Sequence, residues 1–330
     1  MAVEKTKKEH YVPRCYLKRW GNCEEQVYVY DKYLKKTRIN NVYDVACEKF
    51  YYDIDYHELS EDKIAFLKSI GINPEKDEQF IEHFLAEHIE NTYSKLLANI
   101  VNKELTPWHE KNCCFVNNQD RLDLALCLVF QYIRTKGTRN SIVDTSNCLE
   151  QLLKELNYSK ETIERYTIKQ KEERIVQGNM LLDINQIVDL MQSFWNLTWV
   201  LGINQTDVPF YTSDNPIGTY PHIRHSIMSM SGIGSKGVEV FLPLSPNHIL
   251  LMFDRSYHTE ISSYDGRYVS LDDIDDINHY NRLCTYNSSR CVFSCNPDFS
   301  LIEKILIDNP TVFEIPKVSI SFGGKKYFPQ

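Results

Sequence analysis

The chain has 330 residues, of which 42% are hydrophobic and 25% are charged, a balance typical of a folded protein with one large core or two modest ones. Its net charge of −8 argues against a broad nucleic-acid-binding surface, which requires an excess of lysine and arginine, but is compatible with a small basic site. The ten cysteines, an N-terminus without an apolar signal segment and a longest apolar run too short for a bilayer together predict a cytoplasmic protein with reduced thiols and no membrane partner.

Short β-strands are predicted between residues 26 and 54. The segment 27–30 is β-branched and aromatic, and the segment 37–42 follows it after a turn, so the two are expected to form a hairpin. We therefore predict a small antiparallel sheet over residues 26–54, with the N-terminal segment packed against it.

The region from residue 60 to residue 200 is predicted to be mainly helical. Apolar residues recur in it at helical spacing, and Asn117 or Asn118 is positioned to cap the most apolar helix. The same pattern leaves Glu82 at the edge of an apolar arc, where a carboxylate needs a partner. The helices expected here cover residues 78–101, 119–134, 145–156, 160–177 and 183–199. Gly178 is expected to end the fourth of them.

Residues 201–330 combine strand and helix patterns. A hairpin is expected over residues 238–253, and a stretch rich in glycine and serine at 226–237 indicates a mobile loop. Helices are also expected at 271–286 and 299–307, and short strands at 289–294 and 312–320. No shift in composition marks a domain boundary, so the sequence predicts a single α+β domain over residues 1–330.

Residues 10–20 concentrate groups that bind anions or transfer protons. His10, near its ordinary pKa, could exchange a proton at neutral pH, and the neighbouring Arg14 could hold an oxyanion or a phosphate. Positive charges outnumber negative ones between Lys5 and Arg19, which can draw an anionic ligand to this part of an acidic protein. An exposed basic tail explains the same charges equally well.

Two further polar groups lie far along the chain. Gln131 and Arg134 end the most apolar helix, where a guanidinium must meet an acid, backbone carbonyls or a bound anion. Asp214 and Asn215 belong to a turn at residues 212–216 that follows a predicted strand, a place where an orienting acid or a metal ligand often lies. An Asp-Asn-Pro sequence is also a common turn former whose side chains bond backbone amides.

Standard catalytic and cofactor motifs are absent from the sequence. It has no Cys-x-x-Cys pair, no His-Glu-x-x-His motif, no Gly-x-Ser-x-Gly elbow and no phosphate-binding glycine loop. We therefore predict no metal site, and the sequence identifies no cofactor.

The ordered motifs of the chain resemble a bacterial family known as domain of unknown function 4238. The opening signature His10-Tyr11-Val12-Pro13-x-x-Tyr16-Leu17-x-x-Trp20 carries the likeness, and Gln131-x-x-Arg134-Thr135, residues 212–216 and Pro243-Leu244-Ser245-Pro246 are similar in order. Two positions depart from the family pattern, because Lys136 replaces a usual proline and Cys15 an often aromatic residue. The resemblance covers nearly the whole chain. It implies an association with mobile elements and with bacterial anti-phage loci, and the chemistry of the family is not established.

From these observations we expect one polar site that combines His10, Arg14, Gln131, Arg134, Asp214 and Asn215. In an effector acting on phosphodiester or nucleotide substrates, His10 would be the general acid or base, Asp214 would orient it or hold a metal, and the other four would bind substrate. The alternative is a non-catalytic sensor or adaptor that binds a phage protein or nucleic acid. On a third interpretation residues 10–20 only anchor the N-terminus. The sequence leaves the oligomeric state open.

Overall fold

The computed structural model describes residues 5–102, 113–168, 172–223, 230–314 and 318–329. It confirms the α+β class, since helices and mainly antiparallel sheets both contribute to it. The helices are α1 (Arg14–Leu17), α2 (Glu61–Ser69), α3 (Phe80–Phe84), α4 (Asn91–Val101), α5 (Asn118–Ile133), α6 (Lys136–Glu155), α7 (Lys160–Tyr166), α8 (Glu172–Leu181), α9 (Ile184–Trp195), α10 (Ile274–Asn287) and α11 (Ser300–Asp308). The strands are β1 (Lys8–His10), β2 (Gln26–Asp31), β3 (Lys36–Asn41), β4 (Cys47–Lys49), β5 (Thr198–Asn204), β6 (Thr212–Ser213), β7 (Gly218–Pro221), β8 (Val238–Ser245), β9 (His248–Phe253), β10 (Arg267–Leu271), β11 (Cys291–Ser294), β12 (Ile320–Phe322) and β13 (Lys325–Tyr327).

The larger sheet has the strand order β10-β5-β9-β8-β7. Its neighbours are antiparallel except for the β5–β10 pair, and the predicted hairpin is confirmed as β8 and β9, with Phe241 opposite Leu251. Every residue of β5 and β8 is buried, so both faces of the sheet are covered there.

The second sheet differs from the small N-terminal sheet that the sequence predicts. Strands β2 and β3 form the expected hairpin, but the order β3-β2-β11-β6 shows that two distant strands complete the sheet. Asp31 lies opposite Cys291, and the remaining strand within residues 26–54, β4, pairs with β1 in a separate two-stranded sheet. The free edge of β2 needs a hydrogen-bonding partner, and β11 supplies it from the far end of the chain.

Local capping and packing set the ends of several helices. Asn117 caps α5 by accepting a hydrogen bond from the amide of Asp120 at 2.9 Å, as expected. Helix α6 begins at Lys136, well before the expected residue 145, because Thr135 caps it. Gly178 does not end a helix but lies within α8, where a Cβ would lie 2.8 Å from Cδ1 of Ile54. The glycine therefore permits close packing.

Other expectations near the C-terminal half need correction. The helix expected to reach residue 199 ends at Trp195, and β5 begins at Thr198. A last strand was expected over residues 312–320, but a short 3₁₀ turn (Val312–Glu314) and the β12–β13 hairpin are found instead. The expected loop at 226–237 lies partly outside the described residues.

One large apolar cluster links the N-terminal segment, the helices and the larger sheet. Tyr16, Leu128 and Trp199 are among its fully buried members. Each such side chain contributes about 1.5–3 kcal/mol by leaving water. No helix in the described ranges combines the length and the apolarity needed to cross a membrane.

Candidate functional site

The N-terminal segment is held in place by two buried aromatic side chains. The hydroxyl of Tyr16 contacts Oγ1 of Thr212 and donates to the carbonyl of Pro243, both at 2.6 Å. Trp20 Nε1 donates to the carbonyl of Phe210 at 3.0 Å. These contacts, and not the predicted polar residues, bring the N-terminal motif next to the turn at 212–216.

His10 is a buried and uncharged residue. Only 6% of it is exposed, and burial, together with Arg134 and Arg14, lowers the pKa of its imidazole to about 4. Its Nε2 atom is buried, and no described residue forms a hydrogen bond with it. The backbone carbonyl accepts hydrogen bonds from Arg134 Nη2 at 2.6 Å and from the hydroxyl of Tyr52 at 3.1 Å. A ring with this pKa is a weak base at neutral pH, and the contacts indicate a structural residue.

Arg134 makes internal contacts through all three nitrogens of its guanidinium. Its Nη1 atom pairs with Oε1 of Glu90 at 2.8 Å, Nε donates to the hydroxyl of Tyr52 at 3.0 Å, and Nη2 donates to the carbonyl of His10. Burial acts to lower the pKa of Arg134, but Tyr52, Glu90 and Glu82 hold it above its usual value. The guanidinium therefore joins β1 to the helical turn that carries Glu90, and Arg134 lines neither of the two clefts described below.

Gln131 lies one turn before Arg134 and is 1% exposed. Both polar atoms of its amide are buried and lack a hydrogen-bond partner within the part of the chain that the structure describes. Each unsatisfied group costs about 1–3 kcal/mol. Gln131 belongs to the wall of neither cleft described below, and its contacts do not explain why a polar residue is kept there.

Asp214 is a buried carboxylate whose oxygens are occupied by backbone amides. Oδ1 accepts from the amide of Ser289 at 2.7 Å, and Oδ2 accepts from those of Arg290 at 2.7 Å and Cys291 at 2.9 Å. Burial raises the pKa of Asp214, and the three amide hydrogen bonds act in the opposite direction. The side chain fixes the turn that leads into β11. Among the described residues, no hydrogen bond joins it to His10.

Asn215 connects the same turn to α6 and α10. Its Nδ2 donates to the carbonyl of Asn287 at 3.2 Å, and Nδ2 of Asn287 donates to the carbonyl of Asn215 at 2.6 Å. A Cβ on Gly137 would lie 2.7 Å from Cγ of Asn215, so the glycine lets α6 approach this closely. Asn215 is part of the wall of a cleft, which is described further below.

The structure therefore does not join the six predicted residues in one open site. Arg14 and Asn215 line two different clefts, and the other four line neither. The side chains of Arg134 and Asp214 form internal hydrogen bonds, and those of His10 and Gln131 are buried, so these residues do not form the shared polar site expected from the sequence.

Arg14 belongs to a cleft that we call the cationic groove. Its volume is about 720 Å³, and the residues used below are Arg14, Lys18, Arg19, Glu90, Asn91 and Ser94. The cations come from α1 and the 3₁₀ turn that follows it, Lys18–Trp20, which places residues 14 and 18 on neighbouring turns. The facing wall is the end of a π-helical turn, Leu85–Glu90, and the start of α4.

The three cations of the groove differ in their partners. Lys18 pairs with Glu25 at 2.6 Å, and Arg14 lies 3.9 Å from the same carboxylate. Arg19 has no carboxylate partner among the described residues. The Nε atoms of Arg14 and Arg19 are both buried and have no hydrogen-bond partner among the described residues, and burial lowers the pKa of Arg19. Arg19 thus has hydrogen-bonding capacity that the protein leaves unused.

Sequence reasoning missed most of this groove. Lys18, Arg19 and Glu90 were not among the predicted site residues, although the excess of positive charge over residues 5–19 was a usable signal. The π-helical turn widens the helix locally, and a pattern with a period of 3.6 residues does not reveal it. The facing wall could therefore not be assigned from the sequence.

A cluster of buried carboxylates lies near Arg134. Burial raises the pKa of Glu9 to about 8, with Asp53 and Glu82 adding to the effect. Burial also raises the pKa of Glu82 to about 7, against the influence of Arg134, and Oε2 of Glu82 has no hydrogen-bond partner in the described ranges. The sequence indicated that the Glu82 carboxylate needs a partner. Among the described residues, the nearby positive charge of Arg134 has this role.

Stability should fall as the pH rises, because of Glu82. Its folded pKa exceeds its ordinary value of 4.5, so the folded protein keeps a proton that the unfolded chain loses between pH 4.5 and pH 7. We expect Glu82→Gln to raise the free energy of unfolding by about 2 kcal/mol at pH 8, and to have little effect at pH 4.5. Urea unfolding of both proteins at the two pH values measures this. Glu87→Gln, at an exposed position of the same helical segment, is the control, and a benefit of Glu82→Gln that does not change with pH would contradict the assignment.

Comparison with known proteins identifies the family of the chain. Residues 8–298 match the family described as protein of unknown function (DUF4238). The chain belongs to this family. The DUF4238 match includes every residue named here in the cationic groove. No curated protein and no solved structure matches the chain. Membership of DUF4238 therefore brings no assigned activity, and the function has to be inferred from the chain's own residues.

Proposed function

We propose that this DUF4238 protein binds a nucleotide, or a similarly compact phosphate-bearing ligand, in the cationic groove. Arg19 carries the proposal. Its guanidinium lines the groove, is only partly buried and has no carboxylate partner among the described residues, so it can donate hydrogen bonds to a ligand. A phosphate oxygen accepts such a hydrogen bond well, because guanidinium geometry matches phosphate and carboxylate oxygens.

The charge and the size of the groove support a small anionic ligand. Glu25 pairs with Lys18 and lies near Arg14, and the carboxylate of the groove wall, Glu90, is paired with Arg134, so the charge of Arg19 is left for a ligand. The volume of about 720 Å³ lies within the range of roughly 300–1,000 Å³ that is typical of small-molecule sites. The net charge of −8 opposes a long nucleic acid. A nucleotide is anionic and small enough for the groove.

The contacts favour recognition over catalysis. A general base should have a pKa near the working pH, whereas the pKa of His10 is about 4, and its Nε2 is buried. Asp214 is occupied by three amides, so it is not available to orient a histidine or to hold a metal. This supports the sensor or adaptor role over the phosphodiesterase role, with a nucleotide as the recognised ligand.

Calorimetric titration with ATP, tripolyphosphate and adenosine tests the proposal. We expect ATP and tripolyphosphate to bind and to compete with each other, and adenosine not to displace either. Arg19→Ala should weaken ATP binding about tenfold or more, because a hydrogen bond to a charged group contributes roughly 1.5–3 kcal/mol. Arg165→Ala, which removes an exposed arginine of α7, should leave the affinity unchanged.

Two outcomes would overturn this assignment. Equal affinities for ATP in the wild type and in Arg19→Ala would remove the groove as the binding site. If the wild type and Arg165→Ala hydrolyse ATP during the titration and Arg19→Ala does not, the groove is an enzymatic site and the recognition role is wrong. Chromatography of the nucleotide after the titration separates these cases.

We also propose that recognition in the groove serves anti-phage defence. The resemblance of the motifs to a family associated with anti-phage loci supports this role. Phage plating on cells that express the wild type, Arg19→Ala or Arg165→Ala tests it. Protection that is lost only in Arg19→Ala is the expected result, and equal plating on all three strains would contradict the role.

A further inference from the structure

A second cleft, with a volume of about 740 Å³, shares no lining residue with the cationic groove. We call it the α6 cleft, because the first turns of α6 form one wall through Gly137, Asn140 and Asp144. The opposite wall is built by Asn215 and by the end of α10, which includes Tyr286. The paired amides of Asn215 and Asn287 hold this wall in place.

The charge of the α6 cleft is balanced, unlike that of the groove, since one lysine and one aspartate are the charged residues of its described lining. Its cation among the described lining residues, Lys32, is buried and donates to the carbonyls of Thr285 at 3.1 Å and Ser288 at 2.7 Å. The carboxylate of Asp144 has no hydrogen-bond partner among the described residues, and burial raises its pKa. Asp144 is half-buried, so the cleft presents to a ligand a carboxylate acceptor that no described residue occupies.

Aromatic rings supply the flat surfaces of the same cleft. Tyr286 is 41% exposed, and its ring centroid lies 6.5 Å from that of Phe313. Tyr33, on the β2–β3 turn, is 68% exposed, and Tyr132 lines the cleft with a hydroxyl that makes no hydrogen bond among the described residues. Exposed rings around a polar cleft favour a planar ligand that stacks, at about 1–3 kcal/mol per base.

We propose that the α6 cleft binds a purine base that presents two adjacent N–H donors, the chemical class of guanine. Asp144 accepts from the ring N–H and from the amino group beside it, and Tyr286 stacks on the base. The carboxylate gains the donors that the protein does not provide. Adenine lacks this pair of donors on one edge, and a sugar lacks the flat face. This inference does not rest on ligand binding in the cationic groove.

Binding of guanosine, inosine, adenosine and D-glucose to the full chain tests the inference. None of the four carries a phosphate, so a failure of the groove proposal leaves this test intact. We expect guanosine to bind about tenfold more tightly than inosine, which lacks the amino group, and adenosine and glucose to bind more weakly still. Asp144→Asn should abolish the preference of guanosine over inosine.

The controls separate a specific site from a loss of folding. Asp189→Asn, an exposed aspartate of α9, should keep the preference, and Arg19→Ala should keep guanosine binding. Tyr286→Ala provides a second test if Asp144→Asn unfolds at a lower temperature, and it should weaken guanosine binding at least fivefold. Equal binding of guanosine and adenosine, binding of glucose alone, no binding at all, or an unchanged preference in Asp144→Asn would each overturn the inference.

Discussion

Replacing Arg134 with methionine is expected to lower the free energy of unfolding by about 3–5 kcal/mol. The substitution removes three hydrogen bonds, leaves the Glu90 carboxylate without its buried cation, and leaves the His10 carbonyl with the Tyr52 hydroxyl as its remaining donor. Removing one partner of a buried ion pair costs this much because the other charge stays behind without compensation. Urea unfolding, monitored by circular dichroism, measures the effect.

Arg165→Met is the matched control for the substitution at Arg134. Arg165 is exposed on α7, so its replacement should change the free energy of unfolding by less than about 0.5 kcal/mol. If Arg134→Met were as stable as this control, the guanidinium would not be the link between β1 and Glu90. Its assignment as a structural residue would then be wrong, and a ligand-binding role for Arg134 would return.

Asp214→Asn is expected to lower the free energy of unfolding by about 3 kcal/mol. The amide of asparagine offers one acceptor oxygen, whereas the two oxygens of Asp214 accept from the amides of Ser289, Arg290 and Cys291. At least one buried N–H would therefore meet an NH₂ group in place of an acceptor. Urea unfolding again measures the effect.

Asp207→Asn, at an exposed position before the same turn, is the control for Asp214→Asn and should leave the stability unchanged. A stable Asp214→Asn protein that lost only its nucleotide binding would contradict the structural role. It would support instead the functional role that the sequence suggested for the aspartate.

Helices with strong local signals could be predicted well, and distant strand pairings could not. Helix α5 was located within a residue at each end, because Asn117 is a good cap and apolar residues recur at helical spacing. The pairing of β2 with β11 was missed, since Asp31 and Cys291 are brought together by the tertiary fold alone. The role of Gly178 could not be predicted, because it depends on the close approach of Ile54, which is distant in the sequence.

The candidate site shows the same limit for polar residues. The sequence indicated correctly that Arg134 must meet an acid or carbonyls and that Asp214 could bond backbone amides, but it could not say which of these alternatives holds. The partners lie on other elements, so the choice depends on tertiary structure. The importance of Arg19 could not be predicted either. Only the folded structure shows that Arg19 has no carboxylate partner among the described residues.

The most direct test of the cationic groove is nuclear magnetic resonance of the arginine Nε–H signals during titration with tripolyphosphate. We expect the signal of Arg19 to shift in a saturable way, because a phosphate bound at its guanidinium changes the surroundings of the Nε–H. The signal of the exposed Arg165 should not move. An Arg19 signal that stays in place while tripolyphosphate binds elsewhere on the protein would contradict the account.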